Sequence, residues 1–438
     1  MSNTYQKKSR RAQPRPLPGE ITVPEQVIVS MAEVAESAKE GLLALAVGTG
    51  LQVMAAMFAE DTERLCGPDG KHNPERAGYR HGSEGGAVTL GGRRLPVSRP
   101  RVRAADGSGE LRLPSYDLFS STEILGTMAL EKMLAGLSSR RYGRGLEPTG
   151  TTVQDAASAT SKSAVSRRFV AATETALAEL MSNRLDDLDL VAFMVDGVHF
   201  GAHTCVVALG IGIDGTKYPL GVEEGATENA AVVTDLITGL RERGLDTSKP
   251  ILAVLDGARA LSRAVKDVFD KPVIHRCQQH KIRNVIDKLP DRLRSVTERR
   301  MRQAYHAESA LQAESLLTEL AAELGKTHPG AAASLREGMA ETLTILRLGV
   351  PPTLARTLHS TNTIESMIGI CREHSKNVKR WRDGTMALRW CAAGMIEAGR
   401  QFRRVNGHLH LPKLRDALNA PFAENVTAAC QDQAHRAA

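Results

Sequence analysis

The stretch Val191-Ala-Phe-Met-Val-Asp196-Gly-Val-His-Phe200 decides the fold. Its apolar run ends in a carboxylate and a glycine, which is typical of a buried strand that carries Asp196 to its end. The same design recurs further along the chain, where Ile251-Leu-Ala-Val-Leu255 is followed by Asp256-Gly257. Two strands that each end in Asp-Gly predict one shared site in an α/β core.

The two carboxylates have alternative explanations. Asp196 can open a turn, and Asp256 can cap a helix that starts near Ala258. A buried strand, however, gains nothing from a terminal carboxylate that lacks water, a cap partner or a cation. Mg²⁺ suits two such carboxylates because it takes oxygen ligands and works beside phosphates.

A third acidic residue lies in Ser360-Thr-Asn-Thr-Ile-Glu365-Ser-Met-Ile-Gly-Ile-Cys-Arg372, a predicted helix that runs on to Lys379. Asn362-x-x-Glu365 fits a capping box, which would give Glu365 a purely local role. At 3.6 residues per turn, Glu365 also heads a stripe of cations on one helix face, formed by Arg372, Lys376 and Lys379. An acid that can bind metal beside cations that can bind phosphate indicates a nucleic-acid partner.

Asp196, Asp256 and Glu365, with Cys277-x-x-His280 between the second and third acids, resemble the DDE transposases of the IS256 (Mutator-like) insertion-sequence family. The segments around Asp196 and Glu365 and the sequence Lys379-Arg-Trp381 also stand where the family pattern has them. The match extends from about residue 30 to residue 410. The ordered combination is specific, although no single motif is.

The resemblance implies a bacterial transposase that binds the terminal inverted repeats of its element. It implies strand cleavage and strand transfer by a copy-out, paste-in route. Asp196, Asp256 and Glu365 would be both the catalytic residues and the ligands of two Mg²⁺ ions, for which Mn²⁺ can substitute. The expected partners are double-stranded DNA, as inverted repeats and as target, and further copies of the chain in a homodimer or larger homo-oligomer.

Two other functions are compatible with the same motifs. A catalytically retired relative could act as a DNA-binding regulator, although the three intact acids argue against it. An RNase H-like nuclease or junction resolvase would cleave without joining. Inverted repeats that flank the gene would distinguish a transposase from such a nuclease.

The expected fold class is α/β, with an RNase H-like mixed-sheet catalytic core preceded by helical and β-hairpin DNA-binding domains. The interval between Asp256 and Glu365 is far longer than a normal loop and carries regularly spaced leucines, which predicts an all-α insertion domain. The predicted segments are a basic arm (1–22), an N-terminal helical domain (23–77), an arginine-rich hairpin (78–119), a helix-turn-helix domain (120–185), a first core segment (186–289), the insertion (290–358), a second core segment (359–412) and a tail (413–438).

Lys and Arg number 57 against 50 acidic residues, a modest excess of +7 that many soluble proteins share. Their clustering is more informative. The candidate DNA-contact residues are Arg93, Arg94, Arg99, Arg101 and Arg103 in the hairpin, Ser163, Ser166, Arg167 and Arg168 in the helix-turn-helix, and Arg372, Lys376, Lys379 and Trp381 after the third acid.

Several assignments stay open from sequence. Trp381 could stack on an unpaired base or serve as a packing anchor. Cys277-x-x-His280 is half of a zinc site with no second half nearby, so His280 is either a proton carrier or phosphate contact at the site, or a packed residue that orients the core. Glu223 and Glu224 follow a predicted strand and rival the three acids as ligands.

The six cysteines include no Cys-x-x-Cys pair, which favours reduced thiols and a cytoplasmic, nucleoid-associated protein. We expect no membrane partner, since no stretch of eighteen apolar residues or signal peptide is evident.

Overall fold

The computed structural model describes residues 42–71, 73–147, 151–225 and 230–420. The described residues fall into two compact units, one from within Met1–Met128 and Arg140–Val165 and the other from Ala129–Ser139 and Ser166 onward. The basic arm predicted at 1–22, the start of the predicted N-terminal helices and most of the predicted tail lie outside the described residues.

The secondary structure alternates between helices and strands in the second unit and includes a long hairpin in the first. The strands are β1 (Gly78–Leu90), β2 (Arg93–Ala104), β3 (Glu110–Leu111), β4 (Leu190–Phe200), β5 (His203–Gly212), β6 (Lys217–Gly225), β7 (Ile251–Leu255) and β8 (Pro272–Arg276). The first helices are α1 (Leu42–Cys66), α2 (Pro114–Ser120), α3 (Glu123–Leu134), α4 (Thr151–Ala156), α5 (Lys162–Ser182), α6 (Ala230–Glu242), α7 (Arg259–Val268) and α8 (Gln278–Ile286). The later helices are α9 (Asp291–Tyr305), α10 (Ala310–Gly325), α11 (Pro329–Arg336), α12 (Met339–Thr342), α13 (Thr344–Arg347), α14 (Pro352–Leu358), α15 (Asn362–Ser375), α16 (Gly384–Gln401) and α17 (Leu411–Asn419).

The first unit is organised by the β1–β2 hairpin, as the sequence predicts. Leu90 pairs with Arg93 across a two-residue turn whose glycines, Gly91 and Gly92, have φ of 58° and 76°. Two successive positive φ angles are the geometry that matches the twist of antiparallel strands, and glycine adopts it without strain. Strand β3 adds a short third strand, and α1 covers the sheet.

Ser120-x-x-Glu123 has the spacing of a capping box and predicts a helix from there to about Arg141, but this capping prediction is wrong. Ser120 does not open the helix that begins at Glu123, because it ends α2 and its hydroxyl donates to the Asp117 carbonyl. The hydroxyl that accepts from the Glu123 backbone N–H belongs to Ser121. The following helix ends at Leu134 and not near Arg141 as the sequence suggests.

The second unit is built on a five-stranded mixed sheet in the order β6-β5-β4-β7-β8. Strands β4, β5 and β6 form an antiparallel meander, whereas β4, β7 and β8 run parallel. Asp214 forms the turn between β5 and β6, as expected, and its carboxylate accepts from the Thr216 backbone N–H and hydroxyl. Residues on both faces of β4 are buried, which explains its nearly continuous apolar run.

Two core layers cover the two faces of this sheet. Helices α6 and α7 pack on one face, against Phe193 and Val195. Helices α15, α16 and α17 pack on the other face, against Met194 and Val198. Successive residues of β4 therefore alternate between the layers, as strand geometry requires.

Between β8 and α15 the described chain is helical. Helices α8 to α12 share a separate apolar cluster that includes Ile282, Met301, Leu317 and Leu335. This helical segment (α8 to α14) also contacts the sheet: Thr344 of α13 donates a hydrogen bond to the Ile274 carbonyl of β8. Within the described residues, no helix is long and apolar enough to span a bilayer.

We predict that His275 makes the protein less stable in acid. Its β8 side chain is fully buried, and burial lowers the pKa of His275 from 6.5 to about 4. Below pH 6.5 the imidazole binds a proton in the unfolded chain but not in the folded chain. The stability that depends on neutral His275 is therefore fully present above pH 6.5 and is lost as the pH falls toward 4. The loss amounts to about 3 kcal/mol in the free energy of unfolding.

The measurement is urea unfolding across this pH range for the wild type and for His275→Leu, which cannot bind the proton. The variant should show a flatter dependence of unfolding free energy on pH, since the other acid-titrating groups are common to both proteins. Parallel pH curves for the two proteins would contradict the prediction.

Candidate functional site

The register of the parallel strands brings the first two acids together. Ala192, Phe193 and Met194 of β4 lie beside Leu252, Ala253 and Val254 of β7, and the same offset continued places Asp196 opposite Asp256. Neighbouring strands in a sheet are about 4.8 Å apart. Both carboxylates therefore leave the sheet at adjacent positions, where the pairing of β4 with β7 ends.

Side-chain alternation directs both acids to the same face of the sheet. Asp196 has the parity of Met194 and Val198, and Asp256 continues the parity of Val254, all of which belong to one core layer. Helix α15 covers this face. Its apolar residues Ile364 and Ile368 pack in that layer, with Glu365 next to Ile364 at the start of the helix.

Each carboxylate is oriented by a local hydrogen bond. Asp196 Oδ1 accepts from the Gly197 backbone N–H at 2.8 Å, and Asp256 Oδ1 accepts from the Ala258 backbone N–H at 2.7 Å. Glu365 Oε1 accepts from the Thr361 hydroxyl at 2.6 Å. The second oxygens of Asp256 and Glu365 take no part in these bonds, so the side chains are fixed while one oxygen of each remains for another contact.

Two sequence interpretations need correction here. Strand β4 does not end at Asp196 but continues to Phe200, paired with β5 alone beyond the point where β7 stops. Asn362-x-x-Glu365 is not a capping box, because Thr361 is the N-cap residue of α15 and Glu365 bonds to the Thr361 hydroxyl and not to the cap backbone.

Cys277 connects the third acid to the sheet. Its backbone N–H donates to the Leu255 carbonyl at 2.7 Å, so Cys277 lies beside the strand end that carries Asp256. Its sulfur accepts from the backbone N–H of Thr361 at 3.4 Å and from that of His280 at 3.5 Å. The Cys277-x-x-His280 turn therefore docks the start of α15 onto the carboxyl edge of β7 and β8.

Thr361 is the residue that sequence reasoning missed. A hydroxyl donates only one hydrogen bond, and the shortest acceptor is Glu365 Oε1 at 2.6 Å, so the Thr361 oxygen is left to accept from His280 Nδ1 at 3.3 Å. His280 Nδ1 lies 3.8 Å from the same Glu365 oxygen. The available signal was a buried hydroxyl one helical turn before the acid.

The electrostatics of this turn shift the pKa values of His280 and Cys277 in opposite directions. The hydrogen bond with Cys277 raises the pKa of His280 against the opposing effect of burial, and the carboxylates of Glu365 and Asp256 add to the increase. Burial by itself would raise the pKa of the Cys277 thiol, but hydrogen bonds from His280 and Thr361 reverse the sign and lower it. The acids beside His280 therefore favour its protonated form more than water does.

The three acids form no ready-made cage. Among residues 42–71, 73–147, 151–225 and 230–420, no group of three or more His, Cys, Asp or Glu side chains is arranged to hold a metal ion. The donor set at the sheet edge nevertheless consists of carboxylate oxygens, the ligand type that Mg²⁺ prefers. Asp196 and Asp256 are the two neighbouring carboxylates of this set.

The rival acids face elsewhere. Glu223 has the opposite parity to Val222, and burial together with Asp235 of α6 raises the pKa of Glu223, which locates it on the other face of the sheet. Glu224 shares the face of Val222 but pairs with His203 at 3.1 Å, two strands away from β4. Neither residue joins Asp196 and Asp256.

The hairpin arginines differ in how available they are. Arg93 is only 3% exposed, and its guanidinium donates to the Gly91 and Glu147 carbonyls, so it holds the turn and offers no surface cation. Arg94 donates to the Ser120 carbonyl. Arg99 and Arg101 form ion pairs with Glu84 and Glu110, whereas Arg103 is exposed.

The first two turns of α5 carry the predicted helix-turn-helix residues. Ser163, Ser166 and Arg167 are exposed, and Arg168 is half-buried. Ala159, in the turn before α5, has a φ of 72°, the left-handed conformation that permits a sharp reversal between two helices. Most of the positions predicted to contact DNA are thus accessible in this helix.

The predicted cationic stripe after Glu365 is interrupted. Helix α15 ends at Ser375, not at Lys379, so only Glu365 and Arg372 share it. Lys376 caps the helix and pairs with Glu373, and Lys379 lies in the loop that follows. Arg372, Lys376 and Lys379 are all exposed, so the cations are present without forming one helix face.

Trp381 has a packing role. Its ring lies 4.8 Å from Phe200 and 6.3 Å from Trp390, centroid to centroid, and it contacts the Gly201 turn between β4 and β5. It is half-buried, whereas Trp390 is buried against Phe169. Trp381 therefore supports the end of the strand that carries Asp196.

Comparisons with known proteins agree with this arrangement. A family model described as "Transposase, Mutator family" matches residues 23–404. The transposase for insertion sequence element ISRM5 of Rhizobium meliloti (strain 1021) is 27% identical over 367 residues, covering 82% of this chain and 88% of that protein. The transposase for IS6120 of Mycolicibacterium smegmatis is 29% identical over 201 residues, covering 44% of this chain and 61% of that protein. The family match extends over most of the sequence, and the chain belongs to the Mutator family of transposases.

Proposed function

We propose that this transposase cleaves and joins DNA strands at the ends of an insertion sequence by metal-dependent phosphoryl transfer. The observation that carries the proposal is the parallel register of β4 and β7, which sets Asp196 opposite Asp256 on the face covered by α15. Family membership supplies the substrate class, because the relatives are named as transposases of insertion sequence elements.

We assign the second unit to the RNase H-like fold. Its strand order of β6-β5-β4-β7-β8, with three antiparallel strands followed by two parallel ones, supports this assignment. Helices on both faces of the sheet support it as well. In such a mixed sheet, side chains at the carboxyl ends of the central parallel strands share one edge, which is where Asp196 and Asp256 lie.

Asp196, Asp256 and Glu365 would hold Mg²⁺ or Mn²⁺. Mg²⁺ retains several waters and takes substrate phosphate oxygens as ligands, so two neighbouring carboxylates can bind the first ion. Glu365 would complete the set of protein ligands when DNA is bound. Bound there, paired cations supply activation of the attacking water or 3′-hydroxyl and stabilisation of the leaving 3′-oxygen.

The chain's own residues prepare this site. The Gly197 and Ala258 backbone N–H groups fix the orientation of the two aspartates before any ligand arrives. Thr361 holds Glu365 in the same way. The hydrogen bond with Cys277 raises the pKa of His280, and a protonated His280 would add a hydrogen-bond donor for a phosphate beside Glu365.

Exposed cations outside the site would bind the DNA backbone. Arg372 follows Glu365 on α15, and Lys379 lies in the next loop. Arg103, Ser166 and Arg167 are further exposed positions for DNA contact. Because two element ends must be joined in one reaction, we propose that a homodimer or larger assembly acts on DNA.

We predict that Asp196→Ala, Asp256→Ala and Glu365→Ala each abolish strand transfer while leaving DNA binding nearly unchanged. Changing an outer-shell residue of a metal site typically costs about 10–100-fold, so loss of a ligand should exceed about 100-fold. The measurement is strand transfer with Mg²⁺, using the terminal repeats that flank the gene, beside a gel-shift assay of the same DNA.

Glu223→Gln is the matched control, since Glu223 lies in the same sheet but faces the other layer. It should retain activity. Full activity in any one of the three alanine variants would remove that residue from the site. A wild type that binds the repeats without cleaving them would instead indicate a DNA-binding regulator.

Arg372→Ala should weaken DNA binding in a salt-dependent way. Removing one phosphate contact lowers the slope of log binding constant against log salt concentration by about 0.9. Binding should therefore be measured at several salt concentrations. Arg302→Ala is the control, because Arg302 is also exposed but pairs with Glu298. Equal slopes for Arg372→Ala and the wild type would exclude the phosphate contact.

A further inference from the structure

Arg276 is a buried cation at the carboxyl end of β8. Its side chain is only 7% exposed. Its backbone lies beside Leu255, the residue that precedes Asp256, and it is followed directly by Cys277. A buried charge is costly unless it is paired and hydrogen-bonded, so the contacts of this guanidinium explain why it is tolerated here.

The guanidinium of Arg276 fills the space next to two glycines. A Cβ added to Gly257 would overlap Arg276 Nε and lie 2.6 Å from Cζ, and a Cβ added to Gly338 would lie 2.6 Å from one terminal nitrogen. Gly257 and Gly338 have φ of +108° and +61°. Arg276 is thus wedged between the turn that follows Asp256 and the turn that follows α11.

Glu337 anchors this wedge to the helical segment. Its carbonyl accepts from Arg276 at 3.3 Å, and its carboxylate lies 3.4 Å from the same guanidinium. The carboxylate also lies 3.9 Å from Arg259, the first residue of α7. Glu337 therefore contacts two cations near Asp256. Arg276 belongs to β8, and Arg259 belongs to α7, the helix that follows the Asp256 turn.

Hydrogen bonding alone does not account for the position of Arg276. The C-terminal end of α11 is also capped by Lys281, whose ammonium donates to the Ser334 and Glu337 carbonyls. Arg276 Nε, by contrast, is buried and has no hydrogen-bond partner among the described residues. The nitrogen of the guanidinium that makes no hydrogen bond is the one that packs on Gly257.

We infer that Arg276 is a positioning residue for Asp256, wedged against Gly257 and anchored through Glu337 to the helical segment. The inference rests on the proposed function, in which Asp256 binds metal. The guanidinium excludes the conformations in which Gly257 would move toward β8, and the Asp256 carboxylate keeps its hydrogen bond to Ala258. Metal ligands must be held within about 0.5 Å of their productive position, so a small displacement of this turn weakens binding.

The test measures Mn²⁺ affinity directly, from the loss of the electron paramagnetic resonance signal of free Mn²⁺. Arg276→Met should weaken Mn²⁺ binding by about 10–100-fold, as expected for a residue that orients a ligand. Arg347→Met is the matched control, because Arg347 holds the same helical segment through the Ala340 carbonyl at 3.4 Å and Glu314 at 3.0 Å, and neither bond involves Glu337 or Arg276. It should lower the unfolding temperature but leave Mn²⁺ affinity unchanged.

Gly257→Ala approaches the same contact from the other side and serves if Arg276→Met does not fold. Its methyl group would displace the guanidinium, so Mn²⁺ affinity should again fall. Wild-type affinity in Gly257→Ala, or equal affinities in Arg276→Met and Arg347→Met, would overturn the inference. Asp256→Asn separates the two proposals: if it binds Mn²⁺ as the wild type does, the metal assignment in the proposed function fails first.

Discussion

The parallel pairing of β4 with β7 is the constraint on which the site depends. A shift of one residue in this pairing would move Asp256 away from Asp196 and turn one of the two aspartates toward the α6 and α7 layer. The strands are buried on both faces, and the register is fixed by the close packing of their alternate side chains in the two different core layers. The energy that orders the core therefore also sets the separation of the two acids.

The third acid reaches this edge by a different kind of contact. Glu365 arrives after a long helical segment, and its helix is attached at the start by the Cys277 sulfur and at its apolar face by Ile364 and Ile368. Sulfur is a weak hydrogen-bond acceptor, so most of the attachment comes from packing. This difference explains why two of the acids belong to the sheet while the third depends on how the helical segment is seated.

Surface charge is distributed less simply than composition suggests. The guanidinium of Arg93 is hydrogen-bonded to backbone carbonyls, and Arg99 and Arg101 form ion pairs with Glu84 and Glu110. A guanidinium already paired with a carboxylate must give up that contact before it can bind phosphate. The exposed cations are therefore a smaller set than the arginine-rich sequence indicates, and Arg103, Arg167 and Arg372 are among them.

The sequence by itself determined the elements and the motif order. Apolar runs that end in Asp-Gly predicted β4 and β7, Gly91-Gly92 predicted the hairpin turn, and the order of the motifs resembled the family whose model matches the chain. The apolar runs and the glycine turn each lie within a short stretch of sequence, so the local pattern is enough to predict them. Only the tertiary structure decided which face each acid shares, that Glu223 points away, that Trp381 packs on Phe200, that Thr361 bonds to Glu365 and that Arg276 lies against Gly257. Those outcomes depend on contacts between residues that are far apart in the chain. Strand register and side-chain packing determine such contacts, and no local sequence pattern encodes them.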